Sequence, residues 1–436
     1  MTYTVLPPDE MIEDGVITLP LSKSISTRAL VLDALSGIYH SPDDPGVARC
    51  DDTRVIIDAL EKVRNAPAGS PVTVDLGASG AAIRFLTALF AVTPGTDVVL
   101  TGCERLCERP MKPLVDGLRQ CGAMIEYKGA EGFAPLHVKG VGLPGGDITI
   151  DSTLSSQFIS ALLMVAPAMT TGLRLHLEGE PVSLPYIIMT VEMMRQRGVE
   201  VEREPLLITV PSSSYVPFVQ PAEGDWSAAA FWFEVCALSA GWITITNLSE
   251  ASLQGDRAAA EYFGCLGVTL STEDVDEGVQ LCPSPEVYGR LDLDLSDNPD
   301  LAPALAVTCC LIGVPFKFTG LQTLSSKECD RLAAICEEMD KVGRIVEKIR
   351  DFGLEWDGRT HPVGSVPEFS SHGDHRIAMA LAPVAVFVPG IKIEGAECVS
   401  KSYPDYWKAL ESIGFRIIDG DGDMAAENNS ADGEVE

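Results

Sequence analysis

Positive charge is scarce in this chain. Lys and Arg number 32 against 63 Asp and Glu across 436 residues, a formal net charge of −31. That balance excludes a sequence-independent grip on nucleic acid and an electrostatic hold on an anionic membrane, so any anionic ligand needs a locally basic pocket. Long apolar runs are also missing: the nearest approach, Leu301 to Phe316, contains two prolines and is too short to span a bilayer. No cationic start followed by an apolar segment marks an export signal, and a cytoplasmic location is expected. Paired C-x-x-C units are absent. The 12 cysteines are scattered, with Cys309 and Cys310 adjacent, which suits reduced thiols rather than a disulfide framework. Cys103 and Cys107 have half-site spacing, but no second half or His pair accompanies them, and no metal is expected.

What is present is an ordinary globular composition, 46% hydrophobic and 22% charged. The length exceeds the roughly 250–300 residues at which one core stops growing, so two domains are expected. The strongest regularity is internal. Helix-like segments end in Gly122, Gly198, Gly267, Gly343 and Gly414, each followed by a strand-like alternation, at separations of 76, 69, 76 and 71 residues. A second series marks helix starts near Ser24, Gly80, Ser156, Trp226, Asp300 and Arg376, at intervals of 56, 76, 70, 74 and 76. Together they predict an α/β chain of six similar units, three per domain, with a break in the Ser- and Pro-rich stretch Ser212–Gly224. The last stretch, Asp419 to Glu436, carries seven acidic and no basic residues and reads as a disordered tail.

Basic residues recur at the predicted helix starts. Lys23, Ser24 and Arg28 open an apolar helix, where N–H groups, a hydroxyl and two cations converge on an anion. Gly77-Ala78-Ser79-Gly80 turns a strand into the helix that carries Arg84, with no Walker or dinucleotide-fingerprint spacing. Glu108-Arg109-Pro110-Met111 puts Pro110 at a plausible first helical position. Ser155, Ser156 and Gln157 precede the next apolar run. In the second half, Asp300 precedes an apolar helix, and Lys327-Glu328-Cys329-Asp330-Arg331 opens another, with Lys327 and Arg331 at i, i+4. Asp374-His375-Arg376 opens a further helix, and Lys401 lies before the last one. Taken singly, each is explained by capping or a solvated charge. A cluster of Lys23, Arg28, Arg109, Lys327, Arg331, Arg376 and Lys401 suits substrates bearing several phosphate and carboxylate groups, with Asp300 and Glu328 as the pair that supplies a general acid and a general base.

These motifs, in this order, resemble the enolpyruvyl transferases over roughly Leu19 to Leu410. The resemblance implies a two-domain inside-out α/β barrel in which residues 1–19 plus 222–420 form one lobe and 20–221 the other, leaving 421–436 as the acidic tail. It implies transfer of the enolpyruvyl group of phosphoenolpyruvate to the 5-hydroxyl of shikimate 3-phosphate, with release of phosphate, by a monomer with no cofactor. By resemblance, Lys23, Ser24, Arg28, Ser155, Ser156, Gln157, Ser183, Tyr186, Asp300 and Lys327 hold shikimate 3-phosphate. Lys23, Gly80, Arg109, Gln157, Arg331, Arg376 and Lys401 hold phosphoenolpyruvate, and Arg84, Asp225 and His375 support them. Asp300 becomes the base, and Glu328, assisted by Lys23, the acid.

The chain departs from the family pattern where Gly77-Ala78-Ser79-Gly80-Ala81 stands for Gly-Asn-Ala/Ser-Gly-Thr, so altered affinity for phosphoenolpyruvate and for inhibitors is expected. Two other readings remain: enolpyruvyl transfer to UDP-N-acetylglucosamine, in which a Cys of the loop holding Cys103 and Cys107 would react, and a catalytically silent anion-binding homologue.

Overall fold

The computed structural model describes all residues except 68–70, 221–222, 274, 276–277 and 421–436; of the stretch read as a disordered tail, Asp419 instead ends the strand Arg416–Asp419, and 421–436 lies outside the described residues. Five four-stranded sheets occur among the described residues. Within the 72–139 segment, Val72–Asp75 pairs in parallel with Asp97–Thr101, which pairs antiparallel with Leu136–Lys139, itself antiparallel to Met124–Tyr127. The strand orders of the sheets built on 146–210 and 291–356 repeat this pattern.

The N-terminal residues complete two further sheets. Gly15–Ile17 runs parallel to Ile243–Ile245 at one sheet's edge, and Thr2–Leu6 lies between Ile391–Glu394 and Arg416–Asp419 in another. The chain's start is thus bound to its second half through backbone hydrogen bonds, which no local sequence pattern specifies.

The six expected helix starts all correspond to helices: Lys23–Leu35, Gly80–Val92, Ser156–Val165, Trp226–Ser239, Ala302–Ile312 and His375–Leu381. These segments are apolar nearly all round, as helices buried on every face must be. The first three pack on one another, as do the last three. Buried apolar side chains fall into two clusters, one drawn from Ile25 to Tyr215 and the other from Val5 to Leu19 together with Trp226 to Phe415. The expectation of six similar units needs one correction. Among the described residues the helix pair Lys23–Leu35 and Asp51–Arg64 has no sheet of its own; turns, bends and irregular backbone join its two members. The glycine series had five members for that reason: Gly122, Gly198, Gly267, Gly343 and Gly414 all adopt positive φ beside the five sheets.

Where a sheet would cover this first pair, a charge network pins the connecting loop. His40 Nδ1 lies 2.7 Å from Asp44 Oδ2, and Nε2 lies 3.0 Å from Asp33 Oδ2. The other oxygen of Asp33 accepts from the buried Arg197 guanidinium at 3.1 and 3.2 Å. A carboxylate at each ring nitrogen favours the doubly protonated imidazolium of His40, the one form that can donate to both. The Asp33 hydrogen bond raises its pKa despite partial burial, and Asp44 adds to the effect. Because the folded value exceeds the unfolded one, this stabilisation is complete below the unfolded pKa of about 6.5 and disappears as pH rises through the folded value. His40→Gln is therefore expected to cost about 1–2 kcal/mol near pH ~6 and clearly less near pH ~9, measured by urea unfolding; equal costs at both would contradict the network.

Candidate active site

The chain crosses between its two cores at two adjacent segments, and that crossing sets the first helix start. Ser22 N donates to Glu223 O at 2.8 Å and Asp225 N to Pro20 O at 3.0 Å. Ser22, not Ser24, caps the helix by accepting from Ile25 N, while Asp225 caps Trp226–Ser239 and also accepts from Lys23 N at 2.9 Å. Lys23 and Ser24 are thereby aimed into a cavity of about 110 Å³.

One turn on, Arg28 is buried. It donates to Ser24 O, Thr190 Oγ1 and Ser160 Oγ, and it stacks between the rings of Phe85 and Tyr186 at 5.4 and 5.8 Å. Tyr186 reaches Asp256 at 3.1 Å, and burial followed by that carboxylate pushes its phenol pKa up. Ser155 caps the helix Ser156–Val165, and Arg84 hydrogen-bonds the Gln157 side chain closely. Ser183, held at φ 53° with its N–H on Ser296 O at 2.9 Å, faces the same space. That left-handed conformation in a residue other than glycine is costly and persists because the surroundings enforce it.

Gly80 opens its helix against Arg109. A Cβ there would sit 2.6 Å from the guanidinium carbon, so only glycine lets Arg109 approach the helix N-terminus. Lys401 donates to Ala78 O at 2.8 Å and to Asp52 Oδ1 at 3.1 Å, and Lys23 Nζ lies 3.2 Å from Asp52 Oδ2. Burial alone would push Asp52 up, but Lys401 and Lys23 outweigh it and hold the carboxyl low.

Asp300 and Glu328 share the remaining cations. Asp300 lies 2.7 Å from Arg331, 3.2 Å from Lys327 and 3.2 Å from Arg376. Glu328 lies 2.9 Å from Arg331, 3.5 Å from Lys401 and 3.8 Å from Arg109. Burial opposes ionisation of both. For Asp300 the Arg376, Lys327 and Arg331 charges win, and for Glu328 those of Lys401, Arg331 and Arg109, so both carboxyls lie well below the usual range. Arg331 is 1% exposed and is further fixed by Asp374 at 2.6 Å. His375 is buried at the cavity wall, with neither ring nitrogen in a hydrogen bond, and burial drives its pKa down so that it is neutral.

Every sequence-predicted residue meets here. All line the cavity except Lys401, which reaches it through Glu328, and Asp225, which acts through the backbone of Lys23. Two local expectations are corrected. Pro110 is not the first helical residue, since the helix runs Lys112–Gln120 with Pro113 in its first turn. Lys327 and Glu328 precede the helix Arg331–Asp340, which Asp330 caps, so Lys327 and Arg331 meet through Asp300 and not as helical neighbours. Sequence reasoning missed Asp52 and Asp256. In sequence, Asp51-Asp52 is an acidic first turn, which any helix start explains equally well.

The family profile described as EPSP synthase (3-phosphoshikimate 1-carboxyvinyltransferase) matches residues 46–410. The 3-phosphoshikimate 1-carboxyvinyltransferase of Bacteroides fragilis (strain YCH46) is 43% identical over 423 residues, covering 96% of this chain and 99% of that protein. The protein of the same name from Methanospirillum hungatei JF-1 is 35% identical over 416 residues, covering 90% and 94%. An EPSP synthase structure from Acinetobacter baumannii superposes with a TM-score of 0.71 over 96% of this chain and 99% of that one, at 20% identity, a likeness of fold.

Asp300→Asn leaves Arg331, Arg376 and Lys327 without their shared counter-charge, and a cost of about 3–5 kcal/mol is expected in chemical denaturation. Inorganic phosphate is expected to raise the melting temperature of this variant more than that of the parent. The reverse order would show that the carboxylate does not neutralise these cations.

Proposed function

The chain belongs to the EPSP synthase family, and from that premise we propose how its cavity carries out the family's reaction. Its activity is 3-phosphoshikimate 1-carboxyvinyl transfer, a step of the shikimate pathway. The enolpyruvyl group of phosphoenolpyruvate passes to the 5-hydroxyl of shikimate 3-phosphate, and phosphate leaves.

The observation that carries the residue assignment is the pair of carboxylates, Asp300 and Glu328, on either side of Arg331 within a ring of cations. In this reading Ser24, Arg28, Ser155, Ser156, Gln157, Ser183, Tyr186 and Lys327 hold shikimate 3-phosphate beside Asp300. Lys23, Gly80, Arg109, Gln157, Arg331, Arg376 and Lys401 hold phosphoenolpyruvate beside Glu328. Asp300 takes the proton of the 5-hydroxyl as its oxygen attacks C2. Glu328, assisted by Lys23, protonates the methylene carbon and gives a tetrahedral intermediate that keeps the phosphate. The conjugate base of Glu328 then removes a proton from the new methyl group as the C–O bond to phosphate breaks, restoring the double bond. The hydroxyl's proton leaves with phosphate, and no cofactor enters these steps.

Protonation logic supports the same reading. Both carboxyls lie low because cations crowd them, which makes Asp300 a weak base and keeps Glu328 ionised. Incoming phosphate and carboxylate groups draw on the same Arg331, Arg376, Arg109, Lys327 and Lys401. Substrate binding therefore raises both pKa values, arming the base and letting the acid take up its proton.

The fold is part of the proposal. Residues 1–19 plus 222–420 form one lobe and 20–221 the other, an inside-out barrel with helices within and sheets without, the first unit lacking its sheet. The cavity is small beside the roughly 300 Å³ of a typical small-ligand pocket, so the lobes separate to admit substrate and then close on it. A cytoplasmic monomer completes the reading; among the described residues no helix is long and apolar enough to cross a membrane.

The sister reaction on UDP-N-acetylglucosamine is not favoured, because neither Cys103 nor Cys107 lines the cavity. Phosphate release from phosphoenolpyruvate is expected with shikimate 3-phosphate and not with UDP-N-acetylglucosamine, and Asp300→Ala is expected to slow it about 10²–10⁴-fold. Release with the nucleotide sugar alone would overturn the substrate assignment, and release with neither would point to a silent homologue. Gly80→Ala, which displaces Arg109, is expected to raise KM for phosphoenolpyruvate about tenfold or more with little change in KM for shikimate 3-phosphate, read from steady-state kinetics.

A further inference from the structure

Arg105 belongs to none of the groups assigned above, yet it bridges the two halves of the cavity wall. It sits in the short helix Glu104–Cys107, four residues before Arg109, and packs with the half whose core runs from Ile25 to Tyr215. Its Nε donates to the carbonyl of Lys327 at 3.1 Å and its Nη2 to the carbonyl of Ser325 at 3.2 Å, both on the opposite half. Nη1 is steadied by Glu108 at 3.3 Å. Its side chain remains 40% exposed, so core packing does not explain its placement.

The two acceptors make the geometry specific. A planar guanidinium offers two parallel donors to two carbonyls, which an ammonium cannot copy. The carbonyl of Lys327 belongs to the peptide unit whose nitrogen is that of Glu328. Holding this peptide fixes where the Glu328 backbone leaves the segment, two residues beyond the turn Gln322–Ser326 and before the helix Arg331–Asp340 begins. The Glu328 carboxylate has to be placed among Arg331, Lys401 and Arg109, one of which lies on the same half as Arg105.

We infer that Arg105 is a positioning residue that makes correct placement of Glu328 conditional on the approach of the two halves. Its guanidinium draws the Ser325–Lys327 backbone toward the Arg109 side, so the acid reaches the phosphoenolpyruvate end only when the cavity is assembled. The inference rests on the reading of Glu328 as the acid.

The test compares Arg105→Ala, Arg105→Lys and Glu328→Gln with the parent protein in steady-state kinetics. Arg105→Ala is expected to lower kcat between about 10- and 100-fold, the range for misplacing a catalytic group by an ångström or less. KM for shikimate 3-phosphate should stay within about twofold, because its expected contacts around Arg28 and Ser156 do not touch Arg105, and Arg105 meets Lys327 at its backbone carbonyl and not at the ammonium assigned to the substrate. Arg105→Lys should recover little, whereas guanidinium ion at low millimolar concentration should restore part of the kcat of Arg105→Ala. A purely structural role would instead lower the melting temperature, raise both KM values together and give no rescue by guanidinium, and that outcome overturns the proposal. So does a kcat within about twofold of the parent for Arg105→Ala while Glu328→Gln is strongly impaired. If Glu328→Gln itself keeps parental activity, the assignment of the acid has failed, and the positioning role falls with it.

Discussion

Two largely buried carboxylates competing for one set of cations hold this site together. Asp300 and Glu328 both pair with Arg331, and each keeps its own flanking cations: Lys327 and Arg376 for one, Lys401 and Arg109 for the other. Charges of one sign could not be brought this close in a buried space. The carboxylates make the cluster of cations tolerable, and the cations keep the carboxylates ionised. On the proposed reading, the same mutual dependence would let substrate anions change the protonation state of both carboxyls at once.

The fold serves that cluster by delivering helix starts. The apolar, largely buried helices reach the cavity with their first residues, which is why Lys23, Gly80, Ser156 and His375 all meet there. Asp225 illustrates the coupling. It caps one helix and accepts the first backbone N–H of another, so the two chain crossings and the aim of Lys23 are one structural feature. Local charge then departs from the global balance: seven Lys and Arg line the cavity against three acidic residues, in a chain of net charge −31.

Much of this was legible in the sequence. Helix starts are marked by local chemistry, so Ser156 or Arg376 could be placed without knowing the fold, and the five-membered glycine series already disagreed with the six helix starts over the first unit. Partners distant in the chain were harder to see. Asp52 holds Lys23 and Lys401 together from 29 and 349 residues away, yet its local pattern is that of any acidic helix start. The pinning of Arg331 by Asp374 was similarly invisible, because only the packing of two helices brings those residues to 2.6 Å. The position of Pro110 was misjudged because Pro113 satisfies the same first-turn preference three residues later.

The departures at Ala78 and Ala81 acquire a physical reading from Lys401. Position 78 lacks a side-chain amide, but its backbone carbonyl accepts from the Lys401 ammonium at 2.8 Å, and that ammonium also meets Asp52 and lies near Glu328. A backbone acceptor cannot be lost by substitution, so the loop keeps its hold on Lys401 whatever stands at 78. Ala81, which does line the cavity, is different: the missing hydroxyl removes a donor from the wall beside Gly80 and Arg109. Of the two changes, only the one at 81 alters the cavity wall, since Ala78 does not line the cavity.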